Sequence, residues 1–140
     1  MPTAFSIVMG EPRGKGRPRF TRCGKPYTDK KTRDYENEVR KAYKETRGPM
    51  FHGPVEVEIY AFHAVPKSWN KAARTIALAN EAAPMRKPDA DNIAKIILDA
   101  LNGLAWKDDT QVARLTVVKL FSADPRCEIF VRTVECGRPK

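Results

Sequence analysis

The segment from Arg86 to Val112, RKPDADNIAKIILDALNGLAWKDDTQV, collects side chains suited to metal-assisted chemistry. Asp89 and Asp91 stand two apart. Lys95 follows Asp91 by one helical turn, and Asp108-Asp109 precedes the next apolar run. Hard divalent cations such as Mg²⁺ take oxygen ligands and bind through a few carboxylates, water and substrate phosphates. Carboxylates crowded together repel one another and favour protons, and a bound cation removes that conflict. Such a metal polarises a phosphoryl oxygen, generates hydroxide and shields a leaving oxygen. Asp89, Asp91 and Asp109 are the candidate ligands, provided that the following strand returns beside the helix start. Asp108 is a supporting candidate, and Lys95 is placed to meet a scissile phosphate or orient the attacking water.

The same residues have an ordinary structural reading. Asp91 is then an N-cap, Asp91 and Lys95 an exposed i, i+4 pair, and Asp108-Asp109 a turn. The distribution of charge weighs against it. Five of the 17 acids fall between Asp89 and Asp109, in a chain with 26 Lys+Arg and a net charge of +9. An acidic pocket inside a basic surface suits a metal-dependent enzyme acting on a polyanion, of which nucleic acid is the commonest.

The elements that must position these groups follow from periodicity. With Ile93 at zero on a helical wheel, Ile96, Ile97, Ala100, Leu101 and Leu104 all fall within about 80°, while Asp91, Lys95 and Asp99 share the opposite face. A helix from about Asn92 to Asn102 is predicted, stopped by Gly103. Ala4–Met9 reads as a strand. Lys30–Thr46 reads as a helix capped by Thr28 or Asp29, with Tyr35, Val39, Ala42 and Tyr43 as its apolar stripe. Val55–Val65 reads as a strand partly covered on both faces, and Lys67–Ala82 as a helix with Ser68 as its cap. LTVVKLF and CEIFVRTV read as two strands joined in a hairpin by SADPR. Between the first strand and the first helix, Gly10–Tyr27 is rich in glycine, proline and cations, which disfavours a helix or a central strand.

At 140 residues the chain is one domain's worth of polymer. Its 41% hydrophobic and 31% charged residues exclude general disorder and a membrane protein. No run approaches the roughly 18 apolar residues of a span. The first residues lack the apolar region of a signal peptide, so a cytoplasmic protein is expected. Cys23, Cys127 and Cys136 form no CxxC pair and are expected to be reduced thiols, with neither disulfides nor zinc. The expected fold class is α+β, with about four mostly antiparallel strands and two or three helices.

At KPDADNIAKIILDAL (Lys87–Leu101) and NGLAWKDDTQV (Asn102–Val112) the chain resembles the RusA-type Holliday junction resolvases, small endodeoxyribonucleases typical of phages and prophages. The pattern is Asp-x-Asp-Asn, a lysine four residues after the second Asp, Asp-Ala-Leu beyond it, and a downstream Asp-Asp-x-Gln-Val. GKGRPRF and YTDKKTRDYENEV are also similar to the family, so the likeness covers most of the chain in a single order. It implies one RusA-like domain over residues 1–140. Asp89, Asp91 and Asp109 match the metal-binding catalytic aspartates and Lys95 the catalytic lysine. The basic loop at about 10–27, with Arg13, Lys15, Arg17, Arg19, Phe20 and Arg22, looks like the family's DNA-contacting segment.

The resemblance further implies Mg²⁺, with Mn²⁺ as a substitute, and no organic cofactor or membrane. It implies a homodimer whose subunits each nick one of two opposed strands of four-way branched DNA, in recombination and repair within a bacterial or phage-infected cell. Two other readings stand beside it: a nuclease for flaps or forks, and a basic DNA-binding module whose acids are only caps and turns.

Overall fold

The computed structural model describes residues 3–17 and 19–134. Cys136 lies outside them. Its centre is β4 (Val55–His63), where alternate residues are fully buried. That alternation on a strand with neighbours on both sides sets one face against the helices. β6 (Arg126–Thr133) pairs antiparallel with β4, and β1 (Thr3–Met9) pairs antiparallel with β6. β5 (Val112–Phe121) lies parallel to β4 on its other side, giving the order β1-β6-β4-β5.

One face of the sheet is covered by α1 (Lys30–Glu45) and α3 (Ala90–Leu101). Tyr35, Val39 and Tyr43 of α1 and Ile93, Ile96, Ile97 and Leu101 of α3 meet Val57, Ile59, Ile129 and Val131 in the main core. Among the described residues, the other face carries no helix. There Phe5 and Phe130 pack with ring centres 4.5 Å apart, and Arg132 bonds to Glu56 and Glu58 at 2.7 and 2.6 Å. A smaller cluster of Val65, Ala77 and Phe121 seats α2 (Lys71–Leu78). The α+β class expected from the sequence, with four mostly antiparallel strands in the main sheet and three helices, is what the described residues adopt.

Three local expectations are corrected. β5 and β6 are not a hairpin: β4 lies between them, and Ser122–Pro125 carries the chain across its end, with the Ser122 N–H donating to the His63 carbonyl at 2.9 Å. A turn signal fixes where the chain reverses, not which strand it reverses against. The α3 helix begins at Ala90, two residues before the expected Asn92, with Asp89 rather than Asp91 at the N-cap position. Helix α2 is shorter than expected, and its cap is Asn70, whose side chain accepts from the Ala73 N–H at 2.8 Å. The basic segment also contains a minimal ribbon, β2 (Arg19–Phe20) with β3 (Pro26–Tyr27).

The return from α3 to β5 is rigid. Gly103 sits at φ +77°, a conformation that glycine adopts without steric cost. Trp106 is fully buried and donates from its indole nitrogen to the Asn102 side chain at 2.7 Å. Gln111 donates to the carbonyls of Phe51 and Gly53 at 2.9 and 3.0 Å. These contacts fix the 3-10 turn Asp109–Gln111 against the beginning of β4.

Candidate active site

Asp89 and Asp91 both lie at the N-terminus of α3, Asp89 at the N-cap and Asp91 in the first turn. The Asp89 carbonyl accepts the first helical bond, from Ile93 N–H at 3.0 Å, but its carboxylate makes no capping bond. Asp91 is exposed. Just before them, the Lys87–Pro88 peptide is cis.

The basic loop runs directly over this helix start. The Lys15 N–H donates to the Asn92 carbonyl at 3.1 Å, and the Gly16 N–H donates to Thr32 Oγ1 at 3.2 Å. A Cβ at Gly14 would lie 2.9 Å from the Cβ atoms of Pro88 and Asn92, so only glycine permits this approach. The result is a cleft of about 500 Å³ whose wall includes Asp89 and Asn92 together with Arg13, Lys15, Arg17, Lys31 and Lys87. Arg19 and Phe20 follow in β2 and Arg22 in the turn after it, all exposed, with Phe20 at 66%.

The three candidate ligand acids pair with no other side chain, a state they share among the described residues with Asp34, Glu38, Glu81 and Asp124. Among the described residues, the carboxylates of Asp89, Asp91 and Asp109 carry no hydrogen bond or ion pair. Elsewhere Glu36, Glu56, Glu58, Asp99 and Glu128 are each held by a cation. Lys95 is exposed and forms no i, i+4 pair with Asp91. The capping bond and the ion pair that would make these residues structural are both absent among the described residues. Asp108 accepts from the Thr110 hydroxyl at 3.2 Å, a turn contact.

Asp109 stands apart from the other two. Helix α3 has 12 residues and so spans about 18 Å. Its start lies near the end of β4, where Arg86 donates to the Ala64 carbonyl at 2.8 Å. Asp109 follows its end and lies near the start of β4. β5 does run back toward the helix start, where Lys119 donates to the Arg86 carbonyl at 2.6 Å, but Asp109 precedes β5 and stays at the other end. Accordingly, among the described residues no three acidic, His or Cys side chains gather closely enough to hold a metal. Asp89 and Asp91 do offer the hard oxygen donors that Mg²⁺ takes, one or two carboxylates being its usual protein share.

The sequence places Lys15 among the DNA-contacting cations of the basic loop. Its Nζ lies 2.7 Å from Glu36 and 3.2 Å from Asp99, and its side chain is 19% exposed. Burial pulls its pKa down, but the bonds to the two acids outweigh this and raise it above 10.5. Lys87 was missed as part of the cleft wall; its place before Pro88 and Asp89 was the available signal. His63 is buried with Nδ1 3.9 Å from Glu11, and its Nε2 has no partner among the described residues. It lies in strand β4 as expected and takes no part in the cleft.

Carboxylates set in a basic cleft at a helix N-terminus are the equipment of a phosphodiester-cutting nuclease. Residues 9–132 match the family model described as Endodeoxyribonuclease RusA. A protein of Bacillus subtilis (strain 168), designated the uncharacterized protein YqaN, is 36% identical over 135 residues, covering 91% of this chain and 94% of its own. The chain belongs to the RusA endodeoxyribonuclease family. No helix among the described residues is long and apolar enough to cross a membrane.

Proposed function

We propose that the chain is a Mg²⁺-dependent endonuclease that resolves four-way DNA junctions by paired, symmetric phosphodiester hydrolysis, as a homodimer serving recombination and repair in a bacterial or phage-infected cell. The observation that carries this is the pair of unpartnered carboxylates, Asp89 and Asp91, beside a cleft lined by cations. A divalent cation supplies charge neutralisation and a nucleophile at neutral pH when bound there, Mn²⁺ serving as well as Mg²⁺. Asp89 and Asp91 are the residues that would hold it.

The rest of the work falls to the chain's own side chains. Arg13, Arg17, Arg19 and Arg22 bind backbone phosphates, and Lys31 and Lys87 add positive potential at the cleft. Lys95, free of ion pairing among the described residues, faces the developing charge on the cut phosphate. Phe20 offers an exposed ring to an unpaired base at a branch point.

Asp109 enters through the homodimer. Within one chain it lies at the other end of α3, so it joins Asp89 and Asp91 only when a second copy brings it there. Such a shared site ties cleavage to dimerisation.

A panel of labelled substrates in Mg²⁺ tests the substrate class. Preferential symmetric nicking of a four-way junction over a flap, a fork and a linear duplex is expected. Equal or faster cutting of flaps or forks would assign the same site to other branched DNA, and binding without cleavage in any divalent metal would contradict the enzyme.

A further inference from the structure

We propose that Lys15 is a positioning residue: a clasp that ties the basic loop to α1 and α3, not a phosphate contact. It rests on the nuclease reading above, because what it positions is that site. The Lys15 ammonium is held by Glu36 of α1 at 2.7 Å and lies 3.2 Å from Asp99 of α3. A phosphate brought to it would meet two carboxylates, and their repulsion opposes the one attraction on offer. The side chain is also mostly out of water, as are its two partners at 17% and 29% exposure. Charge-assisted bonds in such a setting are stronger than exposed ones.

The flanking residues are built for the same purpose. Gly14 packs on Pro88 and Asn92. At Gly16 a Cβ would come within 2.6 Å of Asp29 Oδ1 and 2.7 Å of Thr32 Oγ1. The Gly-Lys-Gly segment thus threads between the starts of α1 and α3, with the Lys15 N–H bonded to Asn92, the residue after Asp91. Arg13 and Arg17, on either side, are thereby held at the cleft beside Asp89.

The test uses the full chain with Glu36→Gln, Lys15→Met and the double variant. Amide exchange in the free protein reports whether the loop is clasped, and four-way junction binding in EDTA reports whether the clasp matters. The expected result is exchange at the Lys15 and Gly16 amides about ten-fold faster in each single variant. Junction affinity falls by a similar factor in each, and the double variant is no worse than either single one. Should Lys15→Met fail to fold, Glu36→Gln alone still decides. Tighter or unchanged binding by Glu36→Gln would overturn the proposal, since releasing a phosphate-contacting lysine from a carboxylate should help it. Unchanged amide exchange would also overturn it. If the unaltered chain binds no branched DNA, the functional reading fails, and the positioning role falls with it even where exchange shows the clasp.

Discussion

The Asp99 carboxylate lies 3.2 Å from the Lys15 ammonium, so Asp99 pairs with the basic loop and not with Lys95, one turn before it on the same helix. Lys95 and Asp91 are both left without ionic partners among the described residues. Exposed helical lysines commonly find an acid at i±4; here Asp99 is taken by Lys15, and Asp91 makes no ion pair among the described residues.

This arrangement sets an expectation for Lys95→Ala. With no ion pair to lose and an exposed side chain, stability should change by less than about 0.5 kcal/mol. The single-turnover cleavage rate should fall by about 100-fold or more, as when a charge-stabilising donor is removed from other sites. Thermal unfolding and cleavage, measured on the same preparation, check both halves.

The separation of Asp109 from Asp89 and Asp91 makes subunit mixing informative. Asp91→Asn and Asp109→Asn homodimers should each be inactive. If a second copy supplies Asp109, a mixed dimer contains one intact site, and mixing the two proteins should restore nicking of one strand. If both acids act within one chain, each subunit carries a lesion in its own site and mixing restores nothing.

The basic loop should reveal itself through salt. Arg17 lines the cleft and is exposed, with no ion pair among the described residues. Arg17→Ala should weaken binding to all DNA forms and lower the slope of log affinity against log salt by about 0.9. An unchanged slope would remove Arg17 from the phosphate contacts.

His63 predicts an acid-side loss of stability. Burial holds its pKa below 6.5; Glu11 opposes this, while Lys119 and Arg86 reinforce it. The unfolded chain takes up a proton near 6.5 and the folded one resists it. The stabilisation from a neutral His63 is therefore complete above that value and is lost as pH falls from 6.5 toward the depressed folded value. His63→Gln should flatten the dependence of melting temperature on pH between about 7.5 and 5.5. An equally steep dependence in the variant would assign it to other groups.

Much of this was legible in the residues themselves. The stripe Ile93, Ile96, Ile97, Ala100, Leu101 lies buried as its spacing requires, and α1 buries Tyr35, Val39 and Tyr43. The first acids of the motif both fall at the start of α3 because a helix N-terminus is a local structure. What local pattern does not encode is pairing. SADPR signals a reversal, but the long apolar run of β4 claims the centre of the sheet and separates β5 from β6. For the same reason Asp109, near in sequence, lies at the far end of a 12-residue helix. The clasp from Lys15 to Glu36 and Asp99 is equally non-local, hinted at only by the glycines on either side of the lysine.

The most direct measurement of the central claim is cleavage and binding of a labelled four-way junction by the unaltered chain and by Asp91→Asn, each in Mg²⁺ and in EDTA. Asp91 makes no structural bond among the described residues, so its amide variant should fold and bind the junction at least as tightly, while cleavage is abolished and the unaltered chain cuts only with Mg²⁺. Cleavage that survives in Asp91→Asn or in EDTA, or loss of binding in step with loss of cleavage, would contradict the assignment of this carboxylate to the metal-dependent site.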